Sequence, residues 1–141
     1  MMDDVVPFGA LTPSPRQALF RRLAGALPYT YVGRKAASAL LGPAGGRSTR
    51  AFDVNVFGTQ KARLHPFDNI SEKRVYLTPH HWDPVERGLL ARFIGAHKHE
   101  DFIFVDVGAN AGLYTLFARS ASVTAGKSLT ALCIEPDPVM R

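Results

Sequence analysis

The chain has 141 residues, 46% of them hydrophobic and 21% charged, with a net charge of +5. That composition fits one ordinary soluble domain with a buried core. No apolar run approaches the roughly 20 residues that cross a bilayer, and a single cysteine, Cys133, excludes an intrachain disulfide framework.

The basic excess lies at the front. Residues 1–50 hold Arg16, Arg21, Arg22, Arg34, Lys35, Arg47 and Arg50 against Asp3 and Asp4. Such a segment can meet a nucleic acid or an anionic surface. We read it instead as a solvated basic helix, because aromatic and basic residues are not interleaved there as single-strand binding requires. Asp3 and Asp4 also replace the positive start of a signal peptide and argue against an acid-poor transit peptide. The expectation is a cytoplasmic protein without a membrane span.

In chain order, Pro7, Pro13 and Pro15 mark an irregular lead-in. Ser14 as cap and Pro15 at the first position then predict a helix to Leu27, with Leu19, Phe20 and Leu23 on one face. Arg34 to Leu41 reads as a short second helix. It ends in Gly42-Pro43-Ala44-Gly45-Gly46, a breaker and a plausible linker. Phe52, Val54 and Val56 alternate, Gly58-Thr59-Gln60 turns, and residues 61–65 return, so a β-hairpin is expected. Asn69 to Lys73 reads as polar loop and Arg74 to Thr78 as another short strand. Asp83-Pro84-Val85-Glu86 signals a helix with Asp83 as cap and Glu86 reaching back to it. Leu89, Leu90, Phe93 and Ile94 supply its buried stripe, and His97-Lys98-His99 complements its negative end. Trp82 is read as a packing residue.

Phe102 to Val107 is then an almost unbroken apolar strand, as expected when helices cover both faces of a parallel sheet. Gly112 to Ser120 reads as a helix, with Leu113, Leu116 and Phe117 inward. Leu129 to Ile134 is the next strand, with Cys133 as a small core residue. Asp137-Pro138 announces one more helix. Three segments follow: a partly helical extension over 1–50, a lead-in of short strands over 51–82, and the first part of an α/β domain over 83–141. Two parallel strands do not make a domain, so the expectation is the front part of a longer protein.

The chemistry concentrates in F-I-F-V-D-V-G-A-N-A-G, residues 102–112. A buried strand, an acid, a glycine turn and a helix start let a nucleotide-like ligand lie against bare backbone. Glu135 ends the second strand, 23 residues after Gly112, where an acid holds a ribose diol. The dinucleotide pattern G-x-G-x-x-G fails, because Asn110 and Leu113 stand at its second and third glycine positions. That counts against a nicotinamide-dependent dehydrogenase. The pattern present is D-x-G-x-N-x-G, with Asp106, Gly108, Asn110 and Gly112. A carboxylate at the strand mouth suits a ligand carrying a cation and no pyrophosphate; S-adenosylmethionine has that character. The histidines at 80, 81, 97 and 99 lack a ligand set, so no metal is expected.

F-V-D-V-G-A-N-A-G-L-Y-T-L followed by I-E-P-D-P-V resembles the FkbM family of S-adenosylmethionine-dependent methyltransferases, over about residues 83–141. The resemblance implies a Rossmann-like class I methyltransferase fold, truncated after the second parallel strand and preceded by a helical and β-hairpin extension. It implies that Asp106 lies near the methionine ammonium and that Gly108, Ala109 and Asn110 form the turn under methionine and ribose. Gly112 would allow close helix–strand packing, Glu135 would accept both ribose hydroxyls, and Pro136 would shape the loop beside adenine. The implied reaction is O-methylation of a small-molecule or sugar hydroxyl. No catalytic residue is assigned, and the isolated chain is expected to bind cofactor poorly. The alternative of another class is a non-catalytic remnant or interaction module that uses the basic front segment.

Overall fold

The computed structural model describes residues 6–137. The helix expected from Asp137-Pro138 falls outside that range. The chain forms two compact units. One runs to Val56 and includes Lys61–Trp82; the other joins Phe57–Gln60 to the chain from Asp83 onward.

In the first unit, α1 spans Pro15–Gly25 and opens on a full capping box. Ser14 Oγ accepts from the Gln17 amide at 3.3 Å, and Gln17 Oε1 accepts from the Ser14 amide at 2.9 Å. The apolar face read from the sequence is not the inward one. Leu19 and Leu23 are about half exposed, while Ala24 is fully buried. Arg21, one turn before Ala24, donates from Nε to the Tyr76 carbonyl at 2.9 Å. Helix α2, Tyr31–Leu40, starts three residues earlier than expected because Thr30 Oγ1 caps the Gly33 amide at 3.1 Å.

The glycine-rich segment after α2 is no linker. Ala44, Gly45 and Gly46 are buried, and the Tyr76 hydroxyl donates to the Ala44 carbonyl at 2.5 Å. Gly45 has φ +90°, and a Cβ there would stand 2.6 Å from Gln17 Nε2 and 2.9 Å from Phe52 Cζ. Only glycine meets both demands.

Strands β1, Phe52–Val56, and β2, Gln60–Leu64, pair as the expected hairpin. Phe52, Val54 and Val56 are buried. Asp53, on the opposite side of the strand, is buried too, because it is fully bonded. Its carboxylate takes Arg63 Nε at 2.7 Å, Arg63 Nη2 at 3.0 Å, and the amides of Gly9 and Leu11 at 2.7 and 3.1 Å. Hydrogen bonding from Arg63 leads the effects that hold its carboxyl down at about 2.

Residues 70–77 correct the sequence reading: they form helix α3, Ile70–Leu77, not a loop and a strand. Asn69 Oδ1 caps it, accepting from the Ser71 and Glu72 amides at 2.9 and 3.2 Å. Val75 and Tyr76 favour strands intrinsically, but burial of Val75, Tyr76 and Leu77 in the helix overrides that preference. Trp82 is buried at the end of this unit.

The second unit is a strand–helix–strand unit preceded by a helix. Helix α4 is Pro84–Ala96, β3 is Asp101–Val107, α5 is Leu113–Thr124 and β4 is Ser128–Ile134. Strands β3 and β4 run parallel, pairing Asp106 with Cys133 and Val107 with Ile134. Asp83 precedes α4 but does not cap it. Its φ is +41°, and its carboxylate turns to accept the Tyr114 hydroxyl at 2.9 Å. In α4 only Ile94 is buried; Phe93 is exposed. The carbonyls after its end are met by Lys127 Nζ, at 2.6 Å from His97 O and 3.1 Å from His99 O, not by a histidine ring.

Among the described residues, α5 covers one face of the sheet and the other face is exposed. Residues Phe102, Phe104 and Asp106 share the α5 side, whereas Ile103, Val105 and Val107 are 51–74% exposed. Leu132 and Ile134 of β4 lie in register with Val105 and Val107 and are exposed with them. Cys133 is exposed as well, against the core position expected for it. Among the described residues, no helix is long and apolar enough to cross a membrane.

Candidate functional site

The site residues sit where two parallel strands end side by side. Beyond Val107 the chain turns through Gly108, Asn110 and Gly112, which all have left-handed φ, at +73°, +51° and +68°. Glycine bears this without cost, and asparagine is among the few other residues that tolerate it. Gly112 then serves as N-cap of α5. Apart from Gly112 and its chain neighbours, no atom of the described residues lies within 4 Å of where a Cβ on Gly112 would stand. The glycine is therefore required by its backbone angle, and the close helix–strand packing implied for it is absent.

The loop's backbone amides all find acceptors. The amides of Gly108 and Ala109 both donate to the Ile134 carbonyl, at 2.8 and 3.2 Å, and that of Gly112 donates to Ala109 O at 2.8 Å. The Ala111 amide meets Asn110 Oδ1 at 2.7 Å, and the Asn110 amide meets Glu135 Oε2 at 2.6 Å. Five consecutive amides thus have acceptors inside the chain. A pyrophosphate needs such amides turned outward.

Glu135 ties the two strand ends together. One carboxylate oxygen holds Asn110, and the other accepts the Asp137 amide at 2.9 Å. A carboxylate has about four lone-pair positions, so each oxygen retains a place for a further donor. Glu135 is half-buried, while Asn110 and Pro136 are exposed and Ala109 is buried beneath them.

Asp106 lies lower, on the α5 side of β3. It is 8% exposed and accepts the Thr115 hydroxyl at 2.7 Å. The Thr115 oxygen is also 3.1 Å from Cys133 Sγ. With the threonine proton given to Asp106, the thiol is left to donate to that oxygen. The structure brings Gly108, Ala109, Asn110, Gly112 and Glu135 into one cluster and holds Asp106 just behind it.

Two residues were missed in the sequence. Tyr114 and Thr115 open α5 and anchor it to acids, Asp83 at the head of α4 and Asp106 on β3. Burial and the bond to Asp83 push the Tyr114 phenol up. The available signal was a pair of hydroxyl residues in the first helical turn behind an acid-ended strand. Among the described residues, no group of three or more histidines, cysteines or acids is placed to hold a metal. His80 and His81 both turn their Nε2 atoms to Leu27 O at 3.0 Å.

Compared with protein-family models, curated proteins and solved structures, the chain finds no match in any of the three.

Proposed function

We propose that the 108–112 loop and Glu135 form the donor side of an S-adenosylmethionine site in an FkbM-like methyltransferase. The observation that carries this reading is the closed hydrogen bonding of the loop beside an anchored carboxylate. A loop with no spare amides does not suit a pyrophosphate, whereas a carboxylate with free lone pairs suits a diol. Asp106, Glu135 and Asp137 also make this end of the sheet acidic, which favours a cationic ligand over an anionic one.

The parts divide the work. Glu135 accepts ribose hydroxyls, Ala109 and Asn110 present backbone to the ligand, and the Asp106–Thr115 pair fixes the strand end against α5. S-adenosylmethionine, when bound, supplies a sulfonium methyl to a nucleophilic oxygen. The acceptor proposed is a hydroxyl of a small molecule or sugar. No residue of this chain is assigned as the base.

Calorimetry with S-adenosylhomocysteine tests the proposal. Wild type binds weakly, and Glu135→Ala weakens binding further by about tenfold or more, the scale of one lost charge-assisted pair. A Glu135 that serves only as a strap between strands gives the opposite outcome: no binding by wild type.

A further inference from the structure

The first unit contains an open cleft of about 360 Å³ that plays no part in the proposed donor site. Its size is at the small end of ligand pockets. Phe8, Pro13 and Ala18 give it an apolar wall, and Arg21, Asp53 and Asn55 supply its polar lining.

Its two charged residues differ in what they have left to offer. The Asp53 carboxylate accepts four bonds, from Arg63 Nε and Nη2 and from the Gly9 and Leu11 amides. Three of those bonds fall on Oδ2 and one on Oδ1, the side chain is fully buried, and Arg63 neutralises its charge. Arg21 is the reverse case. Its Nε donates to Tyr76 O at 2.9 Å, and its guanidinium carbon stands 4.5 Å from the Tyr76 ring centroid. Both contacts fix the plane of the guanidinium. Its Nη hydrogens have no acceptor among the described residues, and no carboxylate there pairs with it. Ser122 Oγ is the only buried side-chain polar atom left without a partner among those residues, so the Nη groups of Arg21 open to solvent.

The Arg21 guanidinium is partly desolvated, and no acid among the described residues pairs with it. Desolvation lowers its pKa, with only Tyr76 acting against it. An oxyanion is the natural partner of such a fork. We propose that this cleft binds a small organic anion, its oxyanion on the Arg21 Nη groups and its apolar body against Phe8, Pro13 and Ala18.

The probe is benzoate, titrated into the full chain and followed by ligand-detected NMR, with benzyl alcohol as neutral counterpart and inorganic phosphate as a bodiless anion. Benzoate binds saturably, benzyl alcohol does not, and phosphate binds more weakly than benzoate. Arg21→Met weakens benzoate about tenfold or more, and Arg22→Met, at an exposed position on the same helix, leaves it unchanged. Asn55→Phe closes the cleft from the exposed side of β1 and also abolishes binding, which keeps the test decisive if Arg21→Met does not fold. The proposal is overturned if wild type shows no saturable benzoate binding below about 10 mM, if phosphate binds more tightly than benzoate, or if either cleft variant binds as wild type does.

Discussion

The amide of Asn110 donates to Glu135 Oε2 at 2.6 Å across 25 residues of sequence. This bond makes the loop after β3 and the end of β4 one structural piece. Glu135→Ala removes the acceptor for both Asn110 and Asp137, and Glu135→Gln keeps one carbonyl oxygen. Hydrogen exchange at amides 110 and 137 should therefore quicken in the order wild type, Gln, Ala. Equal protection in all three would show that the carboxylate does not hold the loop.

Gly112→Ala tests why a glycine stands at the head of α5. The position has φ +68° and open space where a Cβ would go. The expected loss is about 1–2 kcal/mol from the left-handed backbone alone, read as a shift in urea midpoint. Gly112→Asn should recover part of it. A much larger loss, unrelieved by Asn, would restore the packing role.

Asp53 makes the first unit acid-sensitive. Its carboxyl is lowered from 3.8 to about 2, first by the Arg63 hydrogen bond. A depressed folded pKa contributes stability above the unfolded value, so the contribution is complete above 3.8 and lost as pH falls toward 2. Arg63→Met should flatten this acid limb. It should also cost about 3–5 kcal/mol at neutral pH, because Asp53 is left buried without its cation.

His81 acts at a higher pH. Burial lowers its pKa below 6.5, His80 and Arg34 lower it further, and the Leu27 carbonyl opposes them. The folded state thus resists a proton that the unfolded chain accepts below 6.5. Stability is complete above that pH and declines as pH falls through it. His81→Gln should reduce the decline between pH 7 and 5 in thermal melts, and an unchanged slope would remove His81 as its source.

Elements with punctuation were readable in the sequence. Ser14-Pro15, Asp83-Pro84 and the glycines at 108 and 112 marked three helix starts, because the Ser14 cap, the first-position prolines and the left-handed glycines act locally, although Asp83 itself does not cap. The helix at 70–77 was missed because its cap, Asn69, reads equally well as loop, and its V-Y-L run favours strand until burial decides. The inward face of α1 was misread for a related reason: Arg21 faces in, held by the Tyr76 carbonyl, and charge alone argued the reverse. At the candidate site, the left-handed positions followed from residue type. The Asn110–Glu135 and Thr115–Asp106 bonds did not, since they depend on strand register and on how α5 returns over the sheet.

The central claim is tested most directly by titrating the isotopically labelled chain with S-adenosylhomocysteine and following its amide resonances. Saturable shifts confined to residues 108–112 and 135–137, absent with NAD and lost in Glu135→Ala, are the expected result. Amides there that stay unmoved up to about 10 mM ligand, or that move equally with NAD, would contradict it.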